Sequence, residues 1–373
     1  MAAALLAVFG GLRFETGFDW LEYQNYYDFT AGIGSAGTYV ETGVFEAEVG
    51  WYVLNVFFKT LELPFWTLLF AVCSFNMFAL YKFTSSFSDR ILPIFITYFG
   101  FLFLAGQMAT IRQTLSVSFI YFAIIYVSRA RSLPAICASL IAIAFHTFSL
   151  ILVPVIFVKR VKVSPVIVLG LLSIGLALAY ANLNLFLIFA EYILSFVDGG
   201  FVASKLTGYT QFIGSGVSIA TLVLVVYHAA YLLLVQSARK SGRIPDDYIT
   251  NVSLAATILS LAAHTLLASF TIVWSRAFLL TLPLQIIVLS RFFVTASRGA
   301  GEGRFLTVSS AASIASLVYT LANPQSLVFK PYQSMVIVWF VGPYGDGQYR
   351  YAAIRRENDQ LAIENRRFAP GSR

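Results

Sequence analysis

The run Leu133–Val158, LPAICASLIAIAFHTFSLILVPVIFV, decides how the chain is threaded. Taken whole it makes one helix of about 39 Å, well over the ~30 Å hydrocarbon core of a bilayer. Broken near His146, it becomes a hairpin of two short arms, each below the usual span length, and the basic run Lys159–Lys162 returns to the starting side. Charge favours the break. With the hairpin, Lys82/Arg90, Arg129/Arg131, Lys159/Arg160/Lys162, Arg239/Lys240/Arg243 and Arg291/Arg298/Arg304 all fall on one face. Without it they divide between faces, against the preference of Lys and Arg for the cytoplasmic side. We therefore read a hairpin with its turn at His146.

Composition agrees that this is membrane. The 373 residues are 58% hydrophobic and only 12% charged, about half the roughly 25% of a soluble domain. Mean hydropathy is +0.78. Long apolar runs of helical length satisfy their own backbone hydrogen bonds, so the spans are helices and not barrel strands. The net charge of +7 sits in short clusters between apolar runs, which is an orientation signal and not a nucleic-acid stripe. Cys73 and Cys137 both lie in apolar runs without CxxC spacing, so neither a disulfide nor a zinc site is expected.

Outward from the hairpin, spans are expected at Pro64–Phe83, Ile91–Gln107, Thr110–Ser128, Pro165–Ala181, Gly216–Leu234, Ile249–Ala268, Ile272–Phe293 and Phe305–Ala322. Met1–Leu12 is apolar but short, and lacks the basic start of a signal peptide. It is half a span, or the end of a first helix that starts upstream. Val49–Leu63 is amphipathic, and Leu183–Val197 with Glu191 is expected along the interface. Residues 1–343 read as one membrane domain with loops at 13–48 and about 182–215 on the non-cytoplasmic side, and 344–373 as a charged cytoplasmic tail. The fold class is all-α and polytopic.

Charges at membrane depth are costly, and each is a site hypothesis. Arg13, Arg112 and Arg276 fall outside the cytoplasmic clusters. Guanidinium groups bind phosphate through paired donors and stay charged when desolvated, so together they would suit a lipid diphosphate. Snorkelling to the headgroups is the plain alternative. Asp19, in TGFDWLEYQ, could take a proton from a sugar hydroxyl, or simply cap a helix. Glu48 invites the same pair of readings, as an acceptor-binding group or a first-turn helix acid. His146 could serve proton transfer, or rest satisfied on a backbone group. Trp20, Tyr23, Tyr26 and Tyr27 offer ring faces for sugars. With no H-x-x-x-H, DxD or nucleotide-binding glycine loop, no metal and no cofactor is expected.

Four segments, GLRFETGFDWLEYQNYY, EAEVGWYVLN, ATIRQTLSVSFIYFAI and IAIAFHTFSLILVPVIF, resemble the EpsG family of exopolysaccharide polymerases, which is related in function to Wzy-type O-antigen polymerases. The matched residues are Arg13, Gly17, Asp19, Tyr23, Glu48, Gly50, Tyr52, Arg112, Gln113, Phe145 and His146. Arg276 in SRAFLLTLPLQIIVL and Tyr332 in FKPYQS follow. The family usually has a full span before the first loop, where this chain has twelve residues before Arg13, and the chain beyond Pro343 has no counterpart.

The resemblance implies a GT-C-like glycosyltransferase of the bacterial inner membrane, with about 10–12 transmembrane helices. It would join polyprenyl-diphosphate-linked oligosaccharides at the periplasmic face. Arg13, Arg112 and Arg276 would hold the diphosphate. Asp19, Glu48 and His146 would serve catalysis, and Trp20, Tyr23, Tyr52, Gln113 and Tyr332 the sugars. Membrane lipids, a chain-length regulator and a flippase of the same pathway are the implied partners. A transporter of the same lipid-linked sugar and an O-antigen ligase are the alternatives.

Overall fold

The structure, a computed structural model, describes residues 1–33, 48–181, 183–196, 219–268, 271–296, 301–343, 346–354 and 356. Glu41, Glu46, Arg298, nearly all of the loop at about 182–215, and the chain beyond 356 lie outside these residues. Among the described residues there are helices and no strand, with one isolated bridge between Arg13 and Ser334. Among the described residues, seven helices are long and apolar enough to cross a membrane, or up to eight if one bent pair is a single span. The expected ten to twelve exceed this because several apolar runs form helices of 14 residues or fewer, too short to cross alone.

The chain divides into two compact units, Met1–Ile156 with Ala300–Ile363, and Phe157–Gly299. The first opens with α1 (Ala2–Gly11), α2 (Trp20–Phe29), α3 (Val49–Thr60) and α4 (Phe65–Phe87). Next come α5 (Ile91–Tyr98), prolonged by a π-helical segment Phe99–Ala109, then α6 (Ile111–Ser128), α7 (Ser132–Phe145) and α8 (Ser149–Ile156). Trp20, Tyr23, Trp51, Phe65, Leu69 and Ile111 pack into one core that ties α2 and α3 to the starts of α4 and α6.

The break at His146 is where the charge pattern places it. α7 stops at Phe145, His146 is extended (φ −158°, ψ 118°), and α8 begins at Ser149. α8 packs against both α6 and α7. Ser116 of α6 donates to the Ala142 carbonyl at 2.6 Å and also pairs with the Ser149 hydroxyl, joining the two arms.

The second unit holds α9 (Pro165–Tyr180), α10 (Leu185–Leu194), α11 (Ile219–Lys240), α12 (Tyr248–Leu266) and α13 (Thr271–Ala296). Ser164 and Asn184 cap α9 and α10, as a hydroxyl and an amide before an apolar run should. A 74° bend separates these two helices. At one end of this unit Arg239 bonds the Val161 carbonyl at 2.7 Å, and Arg291 bonds Asp247 at 2.7 Å. The basic run at 159–162, the end of α11 and Arg291 thus share one end of this unit.

The first unit is completed by α14 (Gly301–Ala322), a 3₁₀ turn Pro324–Phe329, α15 (Met335–Val341) and helical residues 347–354. The chain at 328–335 lies along 12–17: the amides of Phe14, Gly17 and Met335 donate to Gln333, Val328 and Leu12. Arg350 then donates to the carbonyls of Glu15 and Pro331 at 2.8 Å each, and Tyr351 to Glu22 at 2.7 Å. Residues 346–354 thus pack against the start of the first loop.

Candidate active site

Two glycines bring the site's segments together. Gly17 has φ +111°, a conformation L side chains rarely adopt, and a Cβ there would meet the Met108 carbonyl oxygen at 1.8 Å. Only glycine lets the start of α2 lie on the chain just before Arg112. Gly50 approaches the end of α7 as closely, since a Cβ would fall 2.8 Å from the Ala144 carbonyl. That seats the start of α3 beside His146 and Thr147.

At this junction Arg112 Nη1 meets Glu48 Oε2 at 2.9 Å, with side-chain exposures of only 14% and 5%. Thr147 Oγ1 lies 3.5 Å from the other Glu48 oxygen. The Arg112 guanidinium stands 5.5 Å from the Tyr23 ring centre, a cation–π distance. The Tyr23 hydroxyl donates to Asp19 Oδ2 at a long 3.3 Å, and its ring packs 5.2 Å from that of Trp51. Burial first, and the Asp19 carboxylate second, push the Tyr23 phenol well above its ordinary pKa of 10.0, while Arg112 pulls it down. The phenol stays protonated at neutral pH and donates.

Both candidate carboxylates occupy N-cap positions, Asp19 for α2 and Glu48 for α3, yet neither side chain makes a capping bond. Glu48 pairs with Arg112 instead, and Asp19 takes the Tyr23 hydroxyl. Thr110, at the N-cap of α6, also leaves its helix uncapped and donates to the Ala105 carbonyl at 2.9 Å. Arg112 therefore stands in the first turn of α6, where uncapped amides and the positive helix end favour an anion. A buried cation, a helix start and two carboxylates suit a substrate that brings phosphate and a hydroxyl to one point.

The other candidates lie differently. Arg13 is fully buried and does not snorkel; its guanidinium bonds the Thr16 carbonyl at 3.1 Å and the Gly10 carbonyl, with Cys73 Sγ at 3.8 Å. These bonds anchor the end of α1. Tyr332 stacks on Phe9 at 4.3 Å and donates to its carbonyl at 2.7 Å, so it too holds α1. Trp20 is 3% exposed, with Phe14 and Phe65 edge-on to it, and leaves no open face for a sugar. Tyr52 faces outward along α3. Gln113 is buried with neither amide atom hydrogen-bonded. His146 lies at the turn itself, where Nδ1 accepts the Phe148 amide at 3.1 Å. Its proton is then assigned to Nε2. Arg276 is half-buried on α13 of the second unit.

Sequence reasoning missed Thr147 and Trp51. The hydroxyl beside His146, in the polar step of an otherwise apolar run, was a usable signal for the first. Nothing in the spacing marked Trp51, which follows Gly50 and acts by contact with a ring 28 residues earlier.

A family model, that of the EpsG family, matches residues 1–334. No curated protein and no solved structure matches the chain.

Proposed function

The chain belongs to the EpsG family, and on that footing we propose that it is an exopolysaccharide polymerase whose chemistry centres on Arg112 and Glu48. The donor is a glycan on a polyprenyl diphosphate, and the acceptor is the non-reducing sugar of a new lipid-linked repeat unit. Transfer takes place at the periplasmic face of the bacterial inner membrane, in a GT-C-like, Wzy-type manner. A chain-length regulator and a flippase of the same pathway are its proposed partners.

One observation carries this reading: a nearly buried arginine at a helix start, ion-paired with a desolvated carboxylate, with a second carboxylate one tyrosine away. Moving two ions out of water costs several kcal/mol each, and structure alone gives little reason to retain such a pair. Diphosphate oxygens would displace Glu48 from Arg112 and take up the first amides of α6. The acceptor hydroxyl loses its proton to Glu48 or Asp19 as its oxygen attacks the anomeric carbon. The bond from that carbon to the diphosphate breaks, and Arg112 holds the negative charge that develops on the leaving group, where preorganised charge is most effective. Arg112 supplies this charge without a metal.

Incubating the purified protein with lipid-linked repeat units alone tests the proposal. A ladder of lengthening glycans is expected. Transfer only after adding lipid A–core would make it a ligase, and movement of the lipid across a vesicle without any product would make it a transporter.

A further inference from the structure

The outward side of α3 carries a groove of about 360 Å³, lined by Ile33 and by Tyr52, Val53, Val56, Phe57 and Leu61. Its volume is within the roughly 300–1,000 Å³ of small-molecule sites. The wall is apolar throughout. The one hydroxyl at its far end, on Thr60, is already engaged: it accepts the Ile33 amide at 2.9 Å and donates to the Val56 carbonyl at 2.7 Å. Val53, Phe57 and Leu61 are each more than half exposed, and the helix's opposite side buries Trp51 and Asn55 in the core. Among the described residues α3 thus has one face committed to packing and one apolar face left exposed.

The groove is placed as well as shaped. Tyr52, at its near end, is one helical turn beyond Glu48, the partner of Arg112. From Tyr52 to Leu61 the helix carries the groove on for about 14 Å. An arginine–carboxylate pair one helical turn from an apolar trough matches an amphiphile with a charged head and a hydrocarbon tail. We propose that this groove binds the first isoprene units of the polyprenyl diphosphate whose phosphates meet Arg112. The assignment rests on the polymerase reading for the identity of the lipid. It makes α3 a two-part helix: its start meets the head and its outer face guides the tail, so lipid and reacting centre are held in one register. The groove then selects the donor by the hydrocarbon next to its phosphates, a part of the molecule the glycan chemistry never touches.

The test is photolabelling of the full-length protein in lipid nanodiscs. One probe is a prenyl diphosphate with a diazirine on its second isoprene unit, and the other is phosphatidylglycerol with a diazirine on an acyl chain. Labelling of the 52–61 peptide by the prenyl probe, displaced by undecaprenyl diphosphate and not by phosphatidylglycerol, is the expected result. Val56→Trp, which fills the trough, should cut that labelling roughly tenfold through lost apolar contact. Equal labelling by both probes, or prenyl labelling elsewhere, means the groove holds ordinary bilayer lipid, and the proposal falls. Labelling requires no sugar transfer. A protein that makes no ladder yet labels at 52–61 therefore overturns the polymerase and keeps the groove, whereas an active protein that does not label there overturns the groove alone.

Discussion

The chain has an ion-paired arginine cluster in each of its two units, and they differ in what their arginines hold. In the second unit, Arg239 donates to the Val161 carbonyl and to the side chains of Gln236, Asp246 and Asn251. Asp247 caps α12 through one oxygen and takes Arg291 with the other. The carboxylates there are 46% and 39% exposed, so water shares the charge. In the first unit Glu48 is 5% exposed, caps nothing, and meets Arg112 beside an aromatic ring. The first arrangement ties chain segments together with bonds to backbone and caps. The second keeps a desolvated charge beside uncapped helix amides, at a cost that stability alone does not justify. An arginine's surroundings, more than its depth in the sequence pattern, separate a structural clamp from a site.

The widest gap between the clusters should show in polymer synthesis. Arg112→Ala is expected to lower the rate by about three orders of magnitude, the upper range for loss of a preorganised charge donor. Arg239→Ala should retain near-normal rate per folded molecule and lower Tm by no more than about 2–4 °C per kcal/mol lost. A normal ladder from the Arg112 variant would make the two clusters equivalent. Next in size, Glu48→Gln should cost about 10²-fold, the usual worth of a general base, against no more than about twofold for Asp247→Asn. Asp19→Asn sharpens this further. If it loses as much as Glu48→Gln, both carboxylates act; if it stays active, Glu48 is the base.

Gly17→Ala probes how the site is assembled instead of what it does. The forced φ and the blocked approach to Met108 should cost about 1–3 kcal/mol, read as lower folded yield, with a lower kcat in what remains because Tyr23 is moved off Arg112. Within the site the smallest effect belongs to Tyr23→Phe, a few-fold in rate, since the ring against Arg112 is kept. Its signature is in pH. Because the folded phenol titrates above 10.0, the stability it contributes is complete below pH 10 and is lost as pH rises toward the folded value. Alkaline melting of the wild type should steepen above pH 10, and Tyr23→Phe should flatten it.

Much of this was legible before any coordinates. The long apolar runs announce their helices because a span must bond its own backbone. The break at His146 follows from charge bookkeeping along the chain. Arg112, Asp19 and Glu48 stand out because each is a charge beside apolar or aromatic neighbours. Arg13 stood out on the same grounds, yet its guanidinium closes α1 against Cys73. Tyr332 and Arg350 were no clearer, because the segments they bind lie more than 300 residues away and no periodicity encodes such a contact.

What the sequence determined by itself is a helical membrane chain with a turn at His146 and a short set of suspect charges, since hydropathy and charge are additive along the chain and need no partner. Which suspects meet was decided only by the tertiary structure. Two residues without side chains, Gly17 and Gly50, let backbones approach closely enough for Glu48 and Tyr23 to reach Arg112, and such an approach depends on what lies opposite each glycine.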